Sequence, residues 1–237
     1  MAKRSKEEWK IYGNVFDNFT INTIQKLMSQ KVIEGIESPV KIGKEANIFS
    51  ARTRDGGKRI LKIYRLESCN FNRMYQYIKS DPRFMDIKKQ KRQVIFAWVK
   101  REYRNLLAAR QAGMRVPTPV TSLNNIIVLE YIGDKEPASQ IKDDLPENVQ
   151  GFFNEIVQSL GLLYKGAGLV HADLSEYNIL NYQGHPVFID FSQATNLKDN
   201  QAQDYLKRDI TNLVRFFQKY GLELQEESVI ERIKSTS

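Results

Sequence analysis

One spacing constrains this chain more than any other feature. Residues 171–178 read His171-Ala172-Asp173-Leu174-Ser175-Glu176-Tyr177-Asn178. Two short apolar runs follow, Ile179–Tyr182 and Pro186–Ile189, on either side of the turn Gln183-Gly184-His185, and they lead into Asp190-Phe191-Ser192. An aspartate, an asparagine five positions on, and an aspartate ending the strand that returns from a hairpin form a phosphoryl-transfer layout. Asp173 would accept or orient the proton of an attacking hydroxyl. Asn178 and Asp190 would hold the metal ions that bridge nucleotide phosphates. Hard oxygen ligands of this kind suit Mg²⁺, which keeps several waters and relies on phosphates to complete its shell. Each residue alone is ordinary in a polar loop. The joint spacing, with an apolar run before each block, carries the argument.

Upstream, Ile60-Leu61-Lys62-Ile63-Tyr64 places a lysine inside an apolar strand. A buried ammonium needs a carboxylate or phosphate partner, because desolvation alone drives it towards neutrality. Glu102, on the helix that follows, is the natural partner, and together they would orient Lys62 on the nucleotide phosphates. The turn Gly43-Lys44-Glu45-Ala46 lies where a phosphate-covering loop is expected, yet it matches neither G-x-G-x-x-G nor the Walker A pattern.

Composition closes off other chemistries. The single cysteine, Cys69, rules out an internal disulfide and a cysteine-based zinc site, and it reads as an inert thiol. His171 and His185 are the only imidazoles, too few for a multi-histidine metal site. No signal-peptide h-region opens the chain, and no apolar run approaches the roughly 18 residues of a membrane span. The expectation is a soluble, cytoplasmic protein. The formal charge of +8 is uneven: residues 1–115 hold 26 Lys+Arg against 11 Asp+Glu, whereas residues 116–237 hold 10 against 17. A basic front half suits a polyanionic ligand or partner, and a merely dipolar surface would look the same.

Periodicity predicts a helix within residues 5–30. An antiparallel meander follows through Ile33–Ile36, Ala46–Arg52 and Arg59–Arg65, with Asp55-Gly56-Gly57 as a hairpin turn. Residues 66–93, aromatic and basic and including the run Lys88–Arg92, read as a long, mobile surface insertion. Helices are expected over Val94–Ala112, Glu147–Gly166 and Asp204–Tyr220, with a buried strand at Ile126–Ile132.

These residues resemble a known family. Gly43–Phe49, Leu61–Arg65, Arg101–Leu106, His171–Leu180 and Ile189–Ala194 look like the RIO atypical serine protein kinases, and the G-K-E-A-N loop and H-A-D-L-S-E-Y-N-I-L point to the first RIO subgroup. The resemblance implies an α+β, two-lobed protein-kinase-like fold with a β-rich N-lobe and a truncated, helical C-lobe. Residues 1–32 would be an N-terminal helical extension, 33–132 the N-lobe with its insertion, and 133–237 the C-lobe. ATP would lie between the lobes against Gly43, Lys44, Glu45, Ala46, Lys62, Glu102 and the hinge residues Glu130 and Ile132. Mg²⁺, or Mn²⁺ in its place, would sit on Asn178 and Asp190. The implied activity is transfer to serine, including autophosphorylation, with Asp173 as catalytic aspartate. ATPase turnover is implied too, with Asp190 as a candidate phospho-acceptor. The implied partner is the small ribosomal subunit precursor, with rRNA contact through the basic N-lobe. Two other readings share the motifs: an aminoglycoside-type small-molecule phosphotransferase and an ATP-gated ribosome-precursor binding factor. Against ordinary protein kinases, Ala172 replaces the arginine of H-R-D and Ser192 the glycine of D-F-G. No A-P-E element follows Asp190, so a peptide-docking platform is not recognisable.

Overall fold

A computed structural model describes residues 16–84 and 86–236. The part of the predicted first helix that precedes Phe16 lies outside the described residues. Helix α1, Asn18–Ser29, begins where the Asp17 carboxylate accepts a hydrogen bond from the Thr20 N–H at 2.9 Å. Strands β1 (Gly35–Ile42), β2 (Ala46–Arg52) and β3 (Lys58–Tyr64) form the expected meander. The second turn contains Gly56 at φ 81°, the left-handed conformation that glycine adopts at no steric cost.

The segment read as a mobile loop is folded. It contains α2, Phe71–Ser80, capped by Asn70, and a short 3₁₀ turn at Pro82–Phe84. Met74 and Ile78 lie one turn apart on one face of α2 and are buried, as is Phe84. The apolar stripe is two residues long and set among charges and tyrosines, so periodicity alone did not expose it. Helix α3, Lys91–Gln111, then crosses the sheet and leads into β4 (Pro119–Leu123) and β5 (Ile126–Glu130). The sheet order is β1-β2-β3-β5-β4, antiparallel throughout, with Lys62 opposite Ile127.

Side chains alternate across β3. Leu61 and Ile63 pack towards α1 with Phe16, Ile24, Leu27 and Val128. Lys62 and Tyr64 therefore point to the opposite face, towards α3. Beyond Tyr131–Gly133 come β6 (Ser139–Gln140) and α4 (Val149–Gly161), which ends in a π-helical turn at Leu162–Gly166. Strand β7 (Leu169–Val170), the hairpin β8–β9 (Ile179–Tyr182, His185–Phe188) and β10 (Thr195–Asn196) carry the polar blocks. Helix α5, Ala202–Gln218, and the unanticipated α6, Glu226–Ser235, complete this part. Its core joins α4 to α5 through Phe153 and Phe217, whose rings meet edge to face at 5.1 Å. No helix among the described residues is long and apolar enough to cross a membrane.

Candidate active site

The sheet and the α4–α6 part face each other across a cleft of about 500 Å³, within the range of small-molecule sites. Ile48, Ile60, Leu129, Leu180 and Ile189 give it apolar walls. Gly43, Glu45, Ala46, Lys62, Glu102, Glu130, Ile132, Asn178 and Asp190 all line it. Lys44 does not: its side chain is exposed, and its carbonyl accepts a hydrogen bond from Ser68 Oγ at 3.1 Å. The β1–β2 turn is tight. A Cβ on Gly43 would lie 2.6 Å from the Ala46 carbonyl oxygen, so only glycine fits there.

Lys62 is 7% exposed, and its Nζ donates to Glu102 Oε1 at 2.7 Å and to Asp190 Oδ1 at 2.8 Å. Burial alone would push the ammonium towards neutrality. The facing carboxylates of Asp190 and Glu102 outweigh it and hold the pKa well above that of an ordinary lysine. Glu102 is buried too and accepts from the Tyr64 hydroxyl at 2.6 Å. For Glu102 desolvation prevails over Lys62, and its pKa is raised. Asp190 shows the opposite balance. Burial raises it, but the Lys62 charge and hydrogen bonds from Lys62 and Ser192 bring its carboxyl down to about 2.

Both contacts of Asp190 fall on Oδ1, so Oδ2 has no partner among the described residues. Asn178 Nδ2 donates to the Asp173 carbonyl at 2.7 Å, which leaves its Oδ1 with no donor among the described residues. Asp173 is half-buried; desolvation and the charge of Asp190 push its carboxyl up to about 6, against Arg73 and Arg208. The described residues contain no cluster of three or more His, Cys, Asp or Glu able to hold a metal ion. Two oxygen donors, one charged and one neutral, fit Mg²⁺ that takes the rest of its shell from phosphates and water.

At the cleft's edge Glu130 is committed elsewhere. Its carboxylate pairs with both terminal nitrogens of Arg115 at 2.9 and 2.8 Å and accepts from Thr118 N and Oγ1, which holds it at about 2 despite partial burial. Its backbone N–H is committed as well, donating to the Thr118 carbonyl at 2.9 Å, so neither the side chain nor the N–H is free for a ligand. The Ile132 carbonyl accepts from Ala138 N at 2.9 Å, whereas its N–H donates to no atom of the described residues.

Sequence reasoning missed Asp209. This aspartate on α5 is 2% exposed and accepts hydrogen bonds from Ala172 N at 2.7 Å and Leu174 N at 2.9 Å, either side of Asp173. Burial pushes it up to about 7 against those two N–H groups. Arg208 Nη2 donates to the Ala172 carbonyl. Ala172 sits at φ 64°, costly for a residue with a Cβ, and these bonds clamp it there. The available signal was an aspartate in the apolar register of α5, between Leu206 and Leu213. His171 stays neutral, its pKa lowered by burial to about 4, with Nε2 bonded to the Ile189 carbonyl oxygen. Cys69 is buried, and desolvation pushes its thiol up to about 11, as suits an inert group.

Comparison with known proteins gives the family of the chain. The RIO domain family matches residues 47–229. The RIO-type serine/threonine-protein kinase Rio1 of Haloferax volcanii is 36% identical over 232 residues, spanning 98% of this chain and 80% of that protein. Rio1 of Methanocaldococcus jannaschii is 38% identical over 216 residues, 90% of this chain and 73% of the relative. Among solved structures, that of the Rio2 kinase–ADP/Mg²⁺–phosphoaspartate complex from Chaetomium thermophilum superposes with a TM-score of 0.66 at 20% identity. It covers 90% of this chain and 66% of the other, and it shows the same fold. The chain belongs to the RIO family of atypical kinases, in its Rio1 branch.

Proposed function

We propose that this chain is an ATP-dependent protein kinase that transfers the γ-phosphoryl group of ATP to serine hydroxyls, its own included. One observation carries the reading. Lys62 bridges Glu102 and Asp190 inside an apolar-walled cleft, while beside it Asp190 Oδ2 and Asn178 Oδ1 have no partner among the described residues. The kinase names of the Rio1 relatives support it.

In this reading the apolar walls take the adenine and the Ile132 N–H donates to it. Lys62 engages the α- and β-phosphates. Asn178 and Asp190 hold Mg²⁺, or Mn²⁺, which neutralises phosphate charge during transfer. Asp173 accepts the proton as a serine oxygen bonds to the γ-phosphorus and the bond to ADP breaks. ATPase turnover follows if Asp190 Oδ2 attacks instead, giving an aspartyl phosphate and ADP, and water then releases phosphate. The division at residues 32/33 and 132/133 follows the same reading, with the sheet above the cleft and α4–α6 below. We also place the protein in the cytoplasm on small-subunit ribosomal precursors, because its basic front half suits rRNA phosphates.

The test is incubation with γ-labelled ATP and Mg²⁺ or Mn²⁺, followed by acid and hydroxylamine treatment. Label on serine that survives both marks the kinase, and label removed by hydroxylamine marks the aspartyl phosphate. Transfer to aminoglycosides, or no label on protein, overturns the reading.

A further inference from the structure

Arg101 directly precedes Glu102 on α3, yet it turns away from the nucleotide cleft and is 1% exposed. Its guanidinium donates to Asp81 Oδ2 at 3.1 Å, to the Ser192 carbonyl, to Thr195 Oγ1 at 3.0 Å and, at a longer 3.5 Å, to the Gln193 carbonyl. One turn along, buried Asn105 donates through Nδ2 to the Phe191 carbonyl at 3.0 Å and the Ala194 carbonyl at 2.9 Å. Four consecutive carbonyls, residues 191–194, are thus satisfied by two side chains of one helix. That segment begins immediately after Asp190, which itself holds φ 64°.

The insertion closes the arrangement from the other side. Asp81, just past the end of α2, also accepts from Arg83 Nε at 2.9 Å and Nη2 at 2.6 Å. Arg83 donates in turn to Asn105 Oδ1 at 2.8 Å. From α2, Arg73 and the Tyr77 hydroxyl both donate to Gln193 Oε1, at 2.7 and 3.0 Å. Residues 71–83 therefore supply the buried counter-ion for Arg101 and a second hold on the segment that follows Asp190.

We propose that Arg101 is a positioning residue which, braced by Asp81 and aided by Asn105, fixes Asp190 relative to Glu102. Helix α3 carries Glu102 on one side and the clamp on residues 191–194 on the other. Fixing both ends sets the gap that Lys62 spans, and the site is held assembled by packing within the fold. The guanidinium suits this task because its five donors lie in a rigid fork that can serve several acceptors at once. An ammonium in its place can still face Asp81 but cannot span Ser192, Gln193 and Thr195. The inference rests on the reading of Lys62, Glu102 and Asp190 as a nucleotide–metal site.

Arg101→Lys is the test, because it preserves the charge opposite Asp81. Melting temperature, ATP affinity without metal, and calorimetric Mg²⁺ affinity of the ATP-bound protein are measured beside steady-state transfer. The variant is expected to fold and to bind metal-free ATP as the wild type does. Its Mg²⁺ affinity should fall about 10–100-fold, as when groups supporting metal ligands are removed. The Mg²⁺ concentration for half-maximal transfer should rise in parallel. A lower melting temperature with unchanged Mg²⁺ affinity overturns the proposal and leaves Arg101 a purely structural residue. If Arg101→Lys does not fold, Asn105→Ser gives the same reading, since it frees the Phe191 and Ala194 carbonyls and leaves the Arg101–Asp81 pair intact. A wild-type protein that binds no nucleotide refutes the functional reading itself, a result distinct from either variant matching the wild type.

Discussion

Replacing Lys62 with methionine probes how the buried charges of the cleft are balanced. Methionine keeps most of the stem's volume but deletes the ammonium that contacts Glu102 at 2.7 Å and Asp190 at 2.8 Å. Asp190 is half-buried, keeps Ser192, and can be rehydrated. Glu102, at 1% exposure, retains among the described residues only the Tyr64 hydroxyl. Removing one partner of a buried ion pair costs about 3–5 kcal/mol. Glu102 has an alternative, which is to take up a proton. At pH 7 that costs a carboxyl with an ordinary pKa of about 4.3 roughly 3.7 kcal/mol, at 1.36 kcal/mol per unit, and this sets a ceiling. The expected loss is therefore about 3–3.7 kcal/mol at neutral pH. The protonated native state then holds one more proton than the unfolded chain, so stability falls as pH rises, by up to about 1.4 kcal/mol per unit between roughly pH 5 and 7. The wild type has the same sign over a narrower window, because Lys62 opposes the burial of Glu102. Urea denaturation of both proteins at pH 5.5 and 7 measures the difference, and the variant should recover up to about 2 kcal/mol at the lower pH. Lys62→Met combined with Glu102→Gln, which leaves no charge behind at this pair, should regain most of the loss. An equal deficit at both pH values would refute the reasoning.

Asp173→Asn should lower transfer about 10²–10⁴-fold while ATP affinity is retained, since the residue lies outside the lining of the nucleotide cleft. For the wild type, kcat/KM should rise with pH to a plateau above about 6, where the Asp173 carboxylate is ionised, and a flat profile from pH 5 to 8 would exclude it as the base. Asp209→Asn leaves one of the Ala172 and Leu174 N–H groups facing an amide that cannot accept, at a cost of about 1–3 kcal/mol in denaturation. Its transfer rate should fall further than its ATP affinity, because the backbone on either side of Asp173 loses its clamp.

How much of this was legible in the sequence depended on how local the signal was. Strand β2 appears at its predicted bounds, Ala46–Arg52, because alternation and the Gly56 turn act over a few residues. The placement of Lys62 and Tyr64 on one face follows from the same alternation. Helix α2 was obscured because only Met74 and Ile78 of its ten residues are buried, and aromatic, charged and polar residues make up the rest. Helix α6 is fixed by Val229 and Ile233 packing into the core, a stripe too short to stand out. Asp173, Asn178 and Asp190 were singled out by their spacing alone. Lys44 was grouped with its neighbours by motif alone, and chain direction turns it away from the cleft. The roles of Asp209 and Arg101 were not legible because their partners are distant in sequence: 35 and 37 residues for the one, and 20 to 94 for the other.

Those two residues have a common reason for being where they are. Both Ala172 and Asp190 hold a left-handed backbone at φ 64°, which costs a residue with a Cβ roughly 1–2 kcal/mol. A single hydrogen bond contributes about 0.5–1.5 kcal/mol, so no single contact secures such a turn. The fold answers with a buried polar side chain at each turn, delivered by a different helix. Asp209 of α5 takes the N–H groups of Ala172 and Leu174, and Arg101 and Asn105 of α3 take the carbonyls of residues 191–194. The polarity is complementary, an acceptor for N–H groups and donors for carbonyls, so neither side chain could do the other's work. Exchanging either for an apolar residue of equal volume would preserve packing and still strand several buried backbone groups. The chemistry of the cleft thus depends on polar residues that never face it.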